Sequence, residues 1–185
     1  MKLPTLKTKR LVLRQATMED AKDLARNLNN LDISRWLLVV PYPYRLKDAK
    51  EFIQRQEDKA KKKKRESYQF SIELKEEGRV IGGIGISSIN KYQGTASMGY
   101  WLGEDYWRKG YVTEAAQRVL RFAFDKLKLR RLEAEVYAGN KKSAGLLKKL
   151  GFKLEGVARK AKRSKATGKI IDVEQYGLLR DEWKR

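Results

Sequence analysis

The spacing of apolar residues predicts a fold in which helices and strands are mixed along the chain. Apolar positions recur every three or four residues after Thr17, from about Lys47 to Lys64 and from Val112 to Leu127, as in amphipathic helices. A shorter helix is predicted after Asn140, whose side chain can cap it. Gly151 is suited to end that helix in the left-handed conformation.

Alternation of apolar and polar residues predicts strands between these helices. The pattern gives a short strand at 11–13, an antiparallel meander of three strands from 68 to 102, a strand at 132–136 and a closing hairpin from 153 to 179. The predicted order is βααβββαβαββ, which makes the fold class α/β. No linker or repeat interrupts this pattern, so we predict a single domain over residues 1–185.

The composition excludes several classes of catalytic site. The chain contains no Cys and no His, so disulfides, thiolate nucleophiles, histidine-based triads and zinc sites built from these side chains are excluded. We therefore expect no metal. No apolar run approaches the roughly 20 residues of a membrane span, and the N-terminus lacks a signal-peptide pattern. These features predict a cytoplasmic protein without a membrane partner.

The chain is strongly basic, with 43 Lys and Arg against 23 Asp and Glu and a formal net charge of +20. Such a charge attracts polyanions, including nucleic acid, the ribosome and phosphorylated cofactors. The basic run at Lys59–Arg65 could contact RNA or a ribosome. It could equally be the solvated face of a helix, and a heat-adapted composition would also supply many lysines.

A basic loop between a predicted strand and a predicted helix is a candidate binding site. Residues 98–116 read MGYWLGEDYWRKGYVTEAA, and Arg108, Lys109 and Gly110 come immediately before the helix. Backbone N–H groups in such a turn converge on one point, and the helix dipole adds positive charge there. The loop is therefore suited to bind a pyrophosphate, and a basic loop with a purely structural role is the alternative.

Four sequence blocks together resemble the GNAT superfamily of acyltransferases, in its RimJ/RimL-like branch of ribosomal-protein N-acetyltransferases. The blocks are TKRLVLRQATMEDA at 8–21, GYWLGEDYWRKGYVTEA at 99–115, N-x-x-S-x-x-x-L-x-K-L-G-F at 140–152 and D-x-x-x-Y-x-L-L-R-x-E-W at 172–183. The resemblance implies a mixed, mostly antiparallel sheet that is splayed between its fourth and fifth strands. It also implies that acetyl-CoA is the co-substrate and lies in the gap.

The resemblance further assigns residues to parts of acetyl-CoA. It implies that the pantetheine arm lies beside the backbone of Tyr100, Trp101 and Leu102, that Asn140 contacts this arm and that Ser143 lies near the thioester sulfur. The backbone amides that would bind the pyrophosphate are those of Arg108, Lys109, Gly110, Tyr111, Val112 and Thr113.

The chain departs from the superfamily pattern at three positions. The pyrophosphate pattern is Gln/Arg-x-x-Gly-x-Gly/Ala, and here Trp107 and Val112 occupy its first and last places. Leu147 stands where many members have a tyrosine that acts as general acid. A proton donor must therefore come from another residue.

Two carboxylates and a hydroxyl are candidates for the catalytic groups. Glu135 lies five residues before Asn140, where some family members have a catalytic glutamate, so it is the first candidate for the general base. The alternative is a solvated carboxylate that pairs with lysine. Glu104, before the basic loop, is the second candidate. Ser143 could protonate the departing thiolate, or it could simply be the third residue of a capped helix.

An N-terminal α-amine is the acceptor that this chemistry favours. An amine with a pKa near 8 is roughly a tenth neutral at pH 7, whereas a lysine amine is only about one part in 2,500 neutral. We therefore expect a protein N-terminus, such as that of a ribosomal protein, and Trp36, Tyr42 and Tyr44 could line the acceptor groove. Core packing is the alternative for Trp36. A small-molecule amine acetyltransferase, a catalytically silent acyl-CoA sensor and a non-catalytic basic module for nucleic acid or the ribosome are the alternative functions.

Overall fold

The computed structural model of the chain describes residues 3–61 and 67–184. Eight strands form one sheet in the order β1-β2-β3-β4-β5-β6-β8-β7. The strands are β1 Leu6–Lys7, β2 Leu11–Arg14, β3 Tyr68–Leu74, β4 Arg79–Asn90, β5 Thr95–Leu102, β6 Arg131–Tyr137, β7 Lys153–Arg163 and β8 Ile170–Leu179. The α-helices are α1 Ala21–Leu28, α2 Leu31–Ser34, α3 Leu46–Lys61, α4 Tyr111–Arg121 and α5 Lys141–Lys149.

The sheet opens between β5 and β6, the only parallel neighbours among the described strands. Their pairing covers Thr95–Ser97 against Arg131–Glu133 and, within the described strands, ends there. Beyond that point β6 remains paired with β8 up to Tyr137, so β6 and β8 turn away from β5 together. The predicted mixed, mostly antiparallel sheet that is splayed between its fourth and fifth predicted strands is confirmed.

Each face of the sheet is covered by helices with its own apolar core. Neighbouring residues of a strand point to opposite faces, and Val80 and Ile81 of β4 accordingly belong to different cores. The larger core packs α4 and α5 against the sheet, with Leu120 and Leu147 almost fully buried. The smaller core lies under α1 and α3.

The predicted helix at 112–127 changes its winding before its end. Ala115, Ala116, Val119 and Leu120 of α4 are buried, as their spacing predicts. Residues 122–126 then form one π-helical turn, which the N–H of Leu127 closes on the carbonyl of Phe122 at 3.1 Å. The apolar face therefore continues past Arg121, with Phe122 and Phe124 both buried.

Two short elements, β1 and α2, were not predicted. The side-chain oxygen of Asn30 accepts a 2.8 Å hydrogen bond from the N–H of Asp32 and caps α2. The predicted helix at 47–64 is α3, described as far as Lys61; Lys62–Arg65 of the basic run lie outside the described residues. None of the described helices is long and apolar enough to span a membrane.

Candidate active site

A cleft of about 1050 Å³ occupies the gap between the splayed strands. Parallel strands end at the same edge of a sheet, so the loops after β5 and β6 and the first turns of α4 and α5 meet there. α2 lines the opposite wall. The sequence-predicted site residues that line the cleft are Trp36, Tyr100, Trp101, Leu102, Glu104, Arg108, Gly110, Tyr111, Val112, Thr113, Glu135, Asn140 and Ser143.

The N-terminus of α4 faces the cleft, and no side chain in the described part of the chain caps it. Gly110 is the N-cap residue in the left-handed conformation, with φ of 80°. A Cβ at this position would meet only Arg10 Nη2, at 3.4 Å, so conformation rather than space favours glycine. The first N–H groups of a helix have no partner within the helix. Those of Tyr111, Val112 and Thr113 are therefore available to an anion in the cleft.

Arg10 braces this loop from the side of β2. Its Nε donates to Glu114 Oε2 at 2.7 Å, its backbone N–H donates to Glu114 Oε1 at 2.8 Å and its Nη1 donates to the carbonyl of Lys109 at 2.9 Å. Burial would raise the pKa of Glu114, but hydrogen bonds from Thr8 and Arg10 outweigh it and hold the pKa below its usual range. Glu114 is thereby ionised and paired with Arg10.

The two basic residues of the loop are placed differently. Arg108 is exposed, lines the cleft and has a positive φ of 61°, which is uncommon for a residue with a Cβ. Lys109 is not among the lining residues; its ammonium lies 5.7 Å from the centre of the Tyr106 ring. Trp107, at the first position of the family pattern, donates from its indole to the carbonyl of Leu102 at 2.9 Å and so holds the loop against the end of β5.

Tyr100 and Ser143 join the two sides of the cleft through their hydroxyl groups. The two oxygens are 2.8 Å apart and either can donate, and the Tyr100 hydroxyl also lies 3.2 Å from the Ser143 carbonyl oxygen. Burial raises the pKa of Tyr100 to about 12, against the opposing effect of its hydrogen bond to Ser143. Tyr100 is therefore protonated at neutral pH. Leu147, one helical turn further along α5, is fully buried in the larger core.

Ser143 also has the structural role that its position predicts. Its N–H donates to Asn140 Oδ1 at 3.2 Å, so the predicted cap of α5 is confirmed. The resemblance to the GNAT superfamily implied only a backbone role for Tyr100. Its alternation with Met98 and Leu102 was the available signal, because it puts the ring on the face that α5 covers.

The two candidate bases line the cleft with different partners. Glu135 is about half exposed, and Lys162 Nζ lies 3.5 Å from its Oε2. Glu104 is exposed and accepts a 2.6 Å hydrogen bond from Asn30 Nδ2, which links the loop after β5 to the start of α2. Because exposed ion pairs contribute little, Glu135 can exchange Lys162 for water or an amine.

Of the three aromatic residues predicted to line an acceptor groove, the structure brings only Trp36 to the cleft. Its ring reaches towards the loop after β6, where a Cβ on Gly139 would lie 4.0 Å from Trp36 Cη2. Tyr42 is exposed away from the lining residues. Tyr44 packs in the smaller core with Ala49 and Ile53, and burial raises its pKa to about 12. Its side chain is therefore not available to an acceptor.

Tyr137, at the end of β6, is one of the lining residues that were not predicted from the sequence. Its side chain is 5% exposed, and its hydroxyl has no hydrogen-bond partner among the residues that the structure describes. It shares a face of β6 with Glu135, two residues earlier. The spacing of Tyr137 from Glu135 can be read from the sequence. The lack of a hydrogen-bond partner for its hydroxyl among the described residues is visible only in the structure.

Comparison with known proteins identifies the family of this chain. The family model of the acetyltransferase (GNAT) domain matches residues 10–153. The chain belongs to this family. It is 34% identical to the uncharacterized N-acetyltransferase p20 of Bacillus licheniformis over 98% of this chain and 99% of that protein.

Two further comparisons concern ribosomal-protein acetyltransferases and the fold. The ribosomal-protein-serine acetyltransferase of Escherichia coli is 31% identical over 46% of this chain and 48% of that protein. The structure of Mycobacterium smegmatis RimJ in complex with CoA-disulfide has a TM-score of 0.84 at 21% identity, over 99% of this chain and 89% of that one. The predicted enzyme class, an acetyl-CoA-dependent acyltransferase, and the predicted GNAT-like fold are confirmed.

Proposed function

We propose that this GNAT enzyme transfers the acetyl group of acetyl-CoA to the N-terminal α-amine of a protein, with a ribosomal protein as the acceptor. The observation that carries the proposal is the N-terminus of α4, which no described side chain caps and which opens into the cleft where β5 and β6 stop pairing with each other. A cleft of this form offers an anion site at one end and an extended backbone edge leading away from it.

The cleft residues fit acetyl-CoA. On the side facing β6, β5 has no partner among the described strands at Tyr100, Trp101 and Leu102, so backbone groups there can pair with the amides of a pantetheine arm, as a further strand would; the Leu102 carbonyl also accepts from the Trp107 indole. The free amides of Tyr111, Val112 and Thr113, with the charge of Arg108 beside them, suit the pyrophosphate. Bound acetyl-CoA supplies the activated acyl group as a thioester.

The chain supplies the groups that move protons. Glu135 takes a proton from the acceptor amine, directly or through water, because the amine must be neutral to attack. The linked hydroxyls of Tyr100 and Ser143 hold the proton that the departing sulfur needs, in place of the tyrosine that Leu147 replaces. Backbone N–H groups on the free edge of β5 can stabilise charge on the carbonyl oxygen.

An α-amine suits this site because, unlike a lysine side chain, a substantial fraction of it is already neutral at pH 7. The neutral fraction at pH 7 favours an α-amine over a lysine amine by about 250-fold. The E. coli relative is named for a ribosomal protein, and a chain with net charge +20 is attracted to ribosomes through their RNA. We place the reaction in the cytoplasm, where such an acceptor occurs.

The test is release of CoA thiol from acetyl-CoA with three kinds of amine at pH 7. These are short peptides with a free N-terminus, N-terminally blocked peptides with one lysine, and a polyamine. We expect the free N-terminal peptides to have the highest kcat/KM. Gly110→Pro is the control, because it removes an N–H and cannot adopt φ of 80°, so acetyl-CoA binding should be lost.

Other outcomes would replace the proposal. Preference for the lysine peptide or the polyamine would move the acceptor to another class of amine. Binding of RNA with a steep salt dependence, without thiol release from any amine, would instead indicate a nucleic-acid module.

A further inference from the structure

The hydroxyl of Tyr137 is a buried hydrogen-bonding group that the fold leaves unused. The side chain is 5% exposed and lines the cleft, and among the described residues no atom pairs with its oxygen. Buried polar groups in native proteins nearly always have a partner, and an unpaired one destabilises the fold. A ligand that pairs with this hydroxyl would remove that cost.

Tyr137 acts as a hydrogen-bond donor at neutral pH. Burial first, and the negative charge of Glu135 second, raise the pKa of Tyr137 above its ordinary value of 10.0. The phenol therefore keeps its proton throughout the range in which an α-amine becomes neutral. It needs an acceptor atom, such as a carbonyl oxygen.

The position of Tyr137 relative to Glu135 fits an amine with a carbonyl group next to it. The two residues are two positions apart in β6, so their side chains point to the same face of the sheet and are about 6.6 Å apart along the strand. Trp36 closes the other side of this part of the cleft near Gly139. An α-aminoacyl group can direct its amine to Glu135 while its carbonyl oxygen lies towards Tyr137.

We propose that Tyr137 Oη donates a hydrogen bond to the carbonyl oxygen of the first residue of the acceptor, and so selects α-aminoacyl acceptors over amines without a neighbouring carbonyl. This inference rests on the proposed N-terminal acetylation and adds a residue that determines its specificity. Lysine side chains and polyamines have no carbonyl at this distance from the amine.

The experiment compares the wild-type enzyme with Tyr137→Phe on two matched acceptors. One is a short peptide with a free N-terminus; the other is the same peptide with its first carbonyl reduced to a methylene group. The reduced peptide is measured as a substrate, or as a competitive inhibitor of the parent peptide if its turnover is too slow. The two acceptors differ in the pKa of their amine. This difference cancels because the two enzymes are compared on the same acceptor each time.

We expect Tyr137→Phe to lower kcat/KM for the parent peptide about fivefold to tenfold, as the loss of one buried hydrogen bond should. The same substitution should change the kcat/KM of the reduced peptide, or its inhibition constant if it is measured as an inhibitor, less than twofold. An equal effect on both acceptors, or no effect on the parent peptide, would overturn the inference.

Thermal unfolding separates this role from a structural one. Tyr137→Phe should keep or raise Tm, because it removes a hydroxyl that has no partner among the described residues. Tyr176→Phe is the matched control: Tyr176 is also buried, but its hydroxyl donates to Glu174 at 2.7 Å and it does not line this cleft. This control should lower Tm and leave acceptor selectivity unchanged. A lower Tm for Tyr137→Phe would show an internal partner and contradict the inference.

The results distinguish failure of this inference from failure of the proposed function. If the wild-type enzyme binds acetyl-CoA but acetylates neither peptide, the proposed function is wrong and the inference is wrong with it. If the wild-type enzyme acetylates the peptide and Tyr137→Phe retains its full preference for the carbonyl, only the inference is wrong.

Discussion

Replacing Arg108 with glycine should stabilise the fold while weakening the binding of acetyl-CoA. Arg108 has φ of 61°, a conformation that costs a residue with a Cβ about 1–2 kcal/mol. Arg108→Gly removes this cost, but the greater freedom of glycine in the unfolded chain offsets about 0.4–1 kcal/mol of the stabilisation. We therefore expect the free energy of unfolding to rise by about 0–1.5 kcal/mol, and Tm by a few degrees for a chain of this size.

The loss of affinity follows from the charge of Arg108. The residue is exposed and lines the cleft beside the free amides of α4. A unit charge about 4 Å from a phosphate in water contributes about 1 kcal/mol, which corresponds to about fivefold in affinity. This fivefold loss should shrink in 1 M salt, where the screening length falls to about 3 Å.

Unfolding curves without ligand and calorimetry with acetyl-CoA at low and high salt measure the two effects separately. Arg108→Lys keeps both the charge and the backbone strain, so it should resemble the wild type in both assays. Arg108→Asn lacks the charge but tolerates the left-handed conformation better, so it should share the loss of affinity with intermediate stability. A less stable Arg108→Gly variant would refute the strain argument, and unchanged affinity at low salt would refute the charge argument.

Substitutions in other parts of the molecule test the acceptor chemistry. Glu135→Gln should lower kcat by about 10²–10⁴ while calorimetry shows unchanged acetyl-CoA affinity; a loss within about twofold would mean that Glu135 is structural. Tyr100→Phe should lower kcat and cost about 1 kcal/mol of unfolding free energy, because it removes the 2.8 Å bond to Ser143; wild-type kcat would contradict the proton-donor role. Neutralising Lys61–Lys64, where only Lys61 lies in the described residues, should weaken the use of a ribosomal acceptor but not of a short peptide, and less so as salt rises. An equal loss for both acceptors would argue against electrostatic attraction of the acceptor.

Much of the fold could be predicted because the period of a sequence segment reports which face it buries. The helical spacing of Ala115, Ala116 and Val119 matches the buried side of α4. The prediction failed where elements are too short to show a period, as in β1 and α2. At α2, asparagine is ambiguous, because the same side chain that disrupts one helix can cap the next.

The part of the site that could be predicted depends on local backbone geometry. A glycine and two basic residues between a strand and a helix identify an anion site, because the amides lie close together in sequence. Partners distant in sequence could not be predicted: Tyr100 and Ser143 are separated by 43 residues. Trp36 and Tyr44 lie in irregular segments without a period, so the sequence did not distinguish the lining residue from the buried one.

The distribution of charge inside the cleft explains how a chain with net charge +20 can accept a cationic amine. The basic residues Arg108, Lys141 and Lys142 line the side formed by the α4 and α5 termini, where an anion is expected. Glu104 and Glu135 lie along the walls nearer α2 and β6, where the cations Arg35 and Lys162 each lie 3.5 Å from a carboxylate, that of Asp32 and that of Glu135. At physiological salt a charge acts over about 8 Å, so an amine inside the cleft responds to Glu104, Glu135 and these paired cations rather than to distant surface lysines. The surface charge can then attract a polyanionic carrier such as the ribosome without repelling the N-terminus that the carrier presents.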